Sequence, residues 1–303
     1  MHMEQISLII VNWNTGKLLV NCLSSVASLP EQDLIRHVII IDNASSDSSA
    51  EEAKSFAQEH GYLLVFEKNN LGFAKANNMG WEYIKKHSGE HDHILLLNPD
   101  TEVQPDALRS MLHALERNSH VGIVGPKLLE TNGDVQPSVR QFPTLGIFVL
   151  LFLKMHLVFP KLAVWQHYLM TTFDYTKEQK VDQVMGAAFL IRNTVLEKIG
   201  LLDEAFWIWF EEVDYCKRAK DAGFNTLYTP TAVVTHHGGV SFAQKVGIAK
   251  TKPLLDSSLR YAKKHLGLLS YGVLVLLYPF ALLIALAASF NHTKQRKNNT
   301  SRL

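Results

Sequence analysis

The sequence predicts an α/β fold: a Rossmann-like, mostly parallel sheet flanked by helices, ending in a C-terminal apolar membrane-associating segment. Three observations carry this. Apolar strand patterns alternate with helical ones through the first 125 residues, the rhythm of a sheet covered on both faces. Polar residues recur where those strands end. Between residues 266 and 290 no charged residue occurs. At 303 residues the chain can bury a full core and carry an appendage.

Residues 6–11 read as a strand and 16–29 as a helix. Strands at 37–41, 62–66, 93–97 and 121–124 then alternate with helices at 47–59, 73–86 and 105–117. The rhythm breaks at 144–165, rich in Leu, Phe and Val with only two lysines; its centre, 146–153, is too short to cross a bilayer and reads as a core helix or an interfacial segment. Sheet-like sequence returns at 184–191, followed by a helix at 209–222 and two short strands at 224–228 and 231–235.

The uncharged stretch at 266–290 is long enough to span a membrane. Pro279 lies at its middle, where a helix would kink. Basic residues flank both sides, with Arg260, Lys263 and Lys264 before it and Lys294, Arg296, Lys297 and Arg302 after it. A hairpin or in-plane anchor hinged at Pro279 keeps both clusters on one face; a single span or a soluble core or oligomer helix are the other readings.

Composition narrows the classes. Lys+Arg 30 against Asp+Glu 29 leaves no global field for nucleic acid, and the aromatics are not interleaved with basic residues. Two cysteines, Cys22 and Cys216, fit a reducing compartment and support neither a disulfide framework nor a zinc site. The N-terminus enters a strand almost at once, so no signal peptide is expected.

Chemistry concentrates at strand ends. Asn98-Pro99-Asp100 follows a buried apolar run, placing an amide and a carboxylate where open α/β sheets bind ligands. A carboxylate there suits a divalent metal on a diphosphate; it equally suits a turn before the next helix. Val11-Asn12-Trp13-Asn14 ends the first strand and reads as base or ribose contacts, or as an Asn turn with helix capping. Asp42, in Ile41-Asp42-Asn43-Ala44-Ser45-Ser46-Asp47, can accept from a pyrimidine imide N–H or a ribose hydroxyl. In Asn70-Leu71-Gly72-Phe73-Ala74-Lys75-Ala76-Asn77-Asn78, Gly72 permits close backbone approach at a helix start, although neither a P-loop nor a dinucleotide fingerprint is present. Downstream, Trp207 to Phe210 deliver Glu211, Glu212 and Asp214. Apolar surroundings would raise a carboxylate's pKa and make it a better base, while three acids in a first helical turn also complement the macrodipole. His236-His237-Gly238-Gly239 follows a strand, without the spacing of a zinc hydrolase.

In order and spacing these pieces, together with Val184-Met185-Gly186-Ala187-Ala188-Phe189-Leu190-Ile191-Arg192 and Phe210 to Arg218, resemble the inverting family 2 glycosyltransferases of GT-A fold. The likeness is greatest to the rhamnosyltransferase-like group of bacterial surface polysaccharide synthesis, and covers roughly residues 5–245. The resemblance implies a glycosyltransferase domain over 1–250, with a nucleotide-binding half over 1–125 and an acceptor and catalytic half over 126–250, then membrane-associating helices and a basic tail over 251–303. It implies donor binding by Asn12, Asn14, Asp42, Asn43, Gly72, Asn78, Asn98, Asp100 and Gly186, with Asp42 on the base. It implies Mn²⁺ or Mg²⁺ on Asp100, completed by His236, and a general base at Glu212. There the family usually carries Asp after Glu, so Glu211 or Glu212 serves, or the site is impaired. Asn98 likewise stands for the first acid of the usual Asp-x-Asp. The implied reaction takes a sugar from a dTDP- or UDP-sugar to a polyprenyl-diphosphate-linked saccharide at the cytoplasmic face of a bacterial inner membrane. The rival readings are a membrane-anchored partner subunit with a decayed site and a nucleotidyltransferase.

Overall fold

The computed structural model describes residues 4–88, 92–238 and 247–300, with side chains to residue 287. The nucleotide-side elements are β1 (Ile6–Asn12), α1 (Leu18–Ala27), β2 (Ile35–Asp42), α2 (Ser49–Glu59), β3 (Leu63–Phe66), α3 (Phe73–Ser88) and β4 (His93–Leu97). Next come β5 (Thr101–Val103), α4 (Ala107–Glu116), β6 (Val121–Leu129) and β7 (Val139–Arg140). Three short helices follow, α5 (Leu145–Phe152), α6 (Met155–Val158) and α7 (Ala163–Tyr168). The chain continues through β8 (Gln179–Val181), β9 (Gln183–Val184), β10 (Ala188–Ile191), α8 (Asn193–Ile199), α9 (Glu211–Asp221) and β11 (Asn225–His236). It ends in α10 (Ile248–His265) and α11 (Gly267–Thr300).

The main sheet runs β3-β2-β1-β4-β10-β6-β11-β5, with β8 also on β11. Strands β3, β2, β1 and β4 are parallel, as are β6 and β11; β10 inserts antiparallel between β4 and β6. Strand β1 is buried along its whole length. It lies between two parallel neighbours, which is why it reads as a continuous apolar run rather than an alternation. Its one interior hydroxyl is matched: Ser7 donates to Asp92 at 2.8 Å, and Asp92 lies 3.1 Å from Arg36. Helix α4 covers the sheet with Leu108, Met111, Leu112 and Leu115, all buried, at the i, i+3, i+4, i+7 spacing of one helical face. Each such side chain contributes roughly 1.5–3 kcal/mol. Cys22 and Cys216 are buried free thiols, each pushed up to about 12 by burial, and so inert.

Three expectations change. The two strands expected at 224–228 and 231–235 are halves of one strand, β11. Its register shifts between Thr229 and Val233, around Pro230, which has no N–H for the ladder. Residues 144–165 are neither wholly core nor wholly surface: α5 buries Ile147, Phe148, Leu150 and Phe152, whereas 157–164 are largely exposed. The hinge expected at Pro279 is absent, because α11 is one continuous helix through it. A proline removes a single backbone hydrogen bond, which the remaining turns of a long helix tolerate. Its portion Gly267–Ala287 is long and apolar enough to cross a membrane, at ~1.5 Å per residue against a ~30 Å hydrocarbon layer. Helix α10 lies largely within the 251–303 segment expected to be helical, but had no separate range in the sequence reading. Gly239, Val240 and Ser241 of the histidine motif and Arg302 of the tail lie outside the described residues.

The chain divides into two compact units. One comprises Met1–Arg140, Thr172–Trp207 and Glu211–Ser241; the other comprises Gln141–Thr171, Ile208–Phe210 and Phe242–Leu303. All the sheet strands belong to the first unit.

Candidate active site

Parallel pairing aligns the ends of β1 and β2, with Asn12 opposite Asp42. Asn12 is fully buried. Its amide N–H₂ faces Asp42 Oδ1 at 2.8 Å, Ser49 Oγ at 2.9 Å and Ser45 Oγ at 3.1 Å, and its carbonyl accepts from Thr15 Oγ1 at 2.5 Å. The side chain is thus fully engaged within the protein, and its reach toward a ligand runs through the Asp42 carboxylate it orients. Asp42 Oδ2 also accepts from the Ser45 N–H at 3.2 Å. Asn14, at φ 53, accepts from the Ser46 N–H at 2.7 Å and lies in the same loop network.

A second layer holds the loop before α3. Asn43 Oδ1 accepts from the Leu71 N–H at 2.7 Å, and Asn43 Nδ2 donates to Gly72 O at 3.2 Å. Gly72 has φ +81, and a Cβ there would stand 2.5 Å from the Trp207 carbonyl oxygen, which accepts from Phe73 N–H at 2.9 Å. Only glycine fits that backbone and that approach. Asn78 is directed elsewhere: its amide exchanges hydrogen bonds with Leu202 backbone atoms at 2.9 and 3.1 Å, fastening α3 to the loop at 201–204.

The end of β4 reaches the downstream half through one backbone bond. The Asn98 N–H donates to Ala187 O at 2.8 Å, and Leu97 pairs with Ala188. The preceding Gly186 lies against Glu212: a Cβ on it would be 3.5 Å from Glu212 Cβ and 3.6 Å from Cγ. The Asn98 backbone is thus joined to Ala187, whose neighbour Gly186 packs on Glu212. Asp100 is nearly buried, and its Oδ1 lies 3.4 Å from His236 Nε2.

The histidine has a defined role in this pair. Gln136 Nε2 donates to Glu130 Oε1 at 2.9 Å, which turns Gln136 Oε1 toward His236 Nδ1 at 2.8 Å. With an acceptor facing it, Nδ1 is the donor of this hydrogen bond, which leaves Nε2 on the side of Asp100. Nε2 is buried and makes no hydrogen bond. The unpartnered Nε2 and the Asp100 carboxylate 3.4 Å from it face each other closely enough to share one cation. The donor set of one oxygen and one nitrogen fits a divalent ion such as Mn²⁺ or Mg²⁺. Among the described residues no third His, Cys, Asp or Glu joins them. His237 is engaged separately, with Nε2 2.8 Å from Glu102 Oε1.

Two carboxylates open α9. Glu211 is 5% exposed, and its Oε2 has no hydrogen-bond partner. Burial first, and the Glu212 charge second, push its carboxyl well above the ordinary glutamate range. Glu212 is half-buried and also raised by burial, against the lowering pull of backbone N–H groups and Arg140. Asp214 is committed to structure: it pairs with Arg218 at 2.8 Å, whose guanidinium also donates to the Ile199 and Leu201 carbonyls. Trp209 and Phe210, just before α9, both have positive φ, 62° and 70°. Such backbone is costly and concentrates at functional sites. Sequence reasoning missed Glu130, Gln136 and Arg140. Gln136 stands 100 positions before His236, just after the turn closed by the Leu129–Val135 bridge, and no local motif marks it.

A mostly parallel sheet with amides and carboxylates at its strand ends, and acids supplied by a downstream helix, defines a GT-A-type fold. The chain belongs to glycosyl transferase family 2, whose model matches residues 7–200. It is similar to the low-salt glycan biosynthesis hexosyltransferase Agl10 of Haloferax volcanii, 25% identical over 228 residues, covering 74% of this chain and 64% of that one. It is also similar to the N-acetylglucosaminyl-diphospho-decaprenol L-rhamnosyltransferase of Mycobacterium tuberculosis, 26% identical over 246 residues, covering 77% and 76%. Rhamnosyltransferase WbbL of Escherichia coli K12 is 24% identical over 217 residues, covering 69% and 77%. Among solved structures, the fold resembles the mannosyltransferase PcManGT of Pyrobaculum calidifontis in complex with GDP-Man and Mn²⁺, with TM-score 0.56 at 16% identity over 95% of this chain and 74% of that one. It also resembles GalNAc-T7 with UDP, GalNAc and Mn²⁺, with TM-score 0.57 at 15% identity over 78% and 44%.

Proposed function

We propose that this chain catalyses an inverting transfer of a hexose, rhamnose foremost, from a dTDP- or UDP-sugar to a lipid-linked saccharide. The observation that carries the reading is the continuity of the site: the strand end bearing Asn98 and Asp100 is bonded to Ala187, whose neighbour Gly186 lies against Glu212. That continuity supports reading Asp100 as the carboxylate on the donor's diphosphate and half-buried Glu212 as the base. Asp42 accepts the imide N–H that uracil and thymine share. Glu212 takes the acceptor hydroxyl's proton; the hydroxyl oxygen bonds to the anomeric carbon while the bond to the donor's diphosphate oxygen breaks, inverting that centre. One catalytic carboxylate suffices, because no covalent sugar intermediate forms. Glu211, buried behind it, is held toward its neutral acid form. Asp100 and His236 would hold a divalent metal, which when bound neutralises charge on the leaving diphosphate. The imidazole nitrogen favours Mn²⁺ over the harder Mg²⁺.

The acceptor class is supported by the mycobacterial relative, named for transfer to N-acetylglucosaminyl-diphospho-decaprenol, and by the apolar length of Gly267–Ala287 in α11. A membrane-held enzyme meets a lipid-linked acceptor at raised effective concentration; the cytoplasmic leaflet is where a nucleotide-sugar donor would be met. The test is a panel of dTDP- and UDP-sugars offered with a polyprenyl-diphosphate-linked N-acetylhexosamine and Mn²⁺. Formation of a disaccharide-lipid of inverted anomeric configuration is expected. Donor hydrolysis alone, or retention of configuration, contradicts the proposal.

A further inference from the structure

The second compact unit has a charge unlike the rest of the chain. It holds twelve Lys or Arg and one Asp or Glu, Asp256, whereas the first unit holds eighteen basic and twenty-eight acidic residues. From residue 135 to 173 the chain has no acidic side chain at all. Within this basic unit, helix α5 turns its apolar side chains inward, with Ile147 and Leu150 clustering on Trp165 and Tyr168 of α7. The segment linking α5 to α7 does the opposite. Leu157 is 67% exposed, Val158 69% and Phe159 52%, and Leu162 and Val164 are exposed beside them. Lys154 precedes this tip and Lys161 lies within it. In the same unit α11 packs on α5 and α10 and leaves Leu268, Leu269 and Leu276 largely exposed.

We propose that residues 157–164 form a second membrane contact that inserts into the interfacial layer of an anionic bilayer. Its apolar tip would sit at the boundary of headgroups and acyl chains, with Lys154 and Lys161 on lipid phosphates, while α11 supplies the deeper anchor. An apolar tip with a basic rim is the pattern of an interfacial element, and anionic leaflets attract basic residues near their surface. Charge decides the occupant. A second copy of this unit would bring twelve more basic residues against the first twelve, whereas an anionic lipid surface complements them. Two contacts, one deep and one shallow, would fix the unit's rotation about the membrane normal, which a single helix leaves free. The proposal rests on the reading of α11 as a membrane helix, and its test separates the two.

Cys22 and Cys216 are buried, so an introduced exposed cysteine can be labelled alone. The full chain carrying Val158→Cys, Val164→Cys or Leu269→Cys receives an environment-sensitive fluorophore and is reconstituted with phosphatidylcholine vesicles, with and without phosphatidylglycerol, some of them brominated on the acyl chains. The expected result is a blue shift and bromine quenching at 158, 164 and 269, with 269 deeper. The signals at 158 and 164 should strengthen with phosphatidylglycerol and weaken about fivefold for each of Lys154→Gln and Lys161→Gln. A shift at 269 with 158 and 164 left in water overturns this proposal while α11 stands. No shift at any position overturns both. Shifts at 158 and 164 that ignore lipid charge, or that appear without lipid and grow with protein concentration, also overturn it, the latter in favour of self-association.

Discussion

Replacing Gln136 by Ala should weaken Mn²⁺ binding by about 10–100-fold without unfolding the protein. Gln136 touches no proposed substrate; it acts through His236. Its Oε1 takes the Nδ1 proton at 2.8 Å, and its own amide is oriented by Glu130 at 2.9 Å. Without it the imidazole can place its proton on either nitrogen. Equal tautomer populations cost only a factor of two, about 0.4 kcal/mol. The larger loss comes from orientation: the buried ring keeps no other hydrogen bond, and its Nδ1–H is left unsatisfied. Removing the outer partner of a metal-binding histidine typically costs 10–100-fold, about 1.4–2.7 kcal/mol. Gln136→Glu keeps an acceptor for Nδ1–H but places a second carboxylate beside Glu130, and should fall between wild type and Gln136→Ala. The assay is electron paramagnetic resonance titration of Mn²⁺ with nucleoside diphosphate present, with thermal unfolding as the check on folding. A Gln136→Ala protein of unchanged stability that binds Mn²⁺ as tightly as wild type would refute the reasoning.

Three further outcomes are expected. Glu211→Gln should stabilise the protein at neutral pH and do little in acid. The folded carboxyl is raised by burial and by Glu212, so the wild type's handicap is absent below the unfolded value near 4.5, grows as pH rises toward the raised folded value, and is constant above it. Paired thermal unfolding at pH 4 and pH 8 should show the variant ahead only at the higher pH. Gly72→Ala should destabilise by about 1–3 kcal/mol, because it combines φ +81 with a 2.5 Å approach to Trp207 O; denaturant unfolding reads this, and a neutral result would contradict the close packing. Asp42→Asn should weaken uridine or thymidine diphosphate binding by roughly 10–100-fold, the value of a hydrogen bond to a charged group. Calorimetry reads it, and unchanged affinity would remove Asp42 from the base.

The strand ends were legible because a continuous apolar run that stops in Asn or Asp is visible along the chain. Asn12, Asp42, Asn98 and Asp100 all lie where the alternation places them. Their division of labour was not legible. Asn12 and Asn78 look alike as ligand amides, yet one orients Asp42 and the other fastens Leu202, a choice made by atoms 30 and 124 positions away. The long β11 was hidden by Pro230, which reads as a break and is accommodated as a register shift. Helix α10 was hidden by Pro253 in its first turns. Glu130 and Gln136 were hidden because a turn and its flanks carry no periodic signal, and their meaning depends on His236. The exposed tip at 157–164 was legible as apolar but not as exposed, since composition alone does not separate a core helix from an interfacial one.

Glu212 is proposed as the base of a single displacement, and Glu212→Gln tests this most directly. The variant keeps the size of the side chain and its packing on Gly186 but has no proton-accepting carboxylate. Single-turnover transfer should fall by about 10²–10⁴-fold, the usual worth of a general base. Nucleotide-sugar affinity, measured by calorimetry on the same preparation, should stay within a few-fold of wild type. Full-rate transfer by Glu212→Gln with donor binding intact would contradict the account.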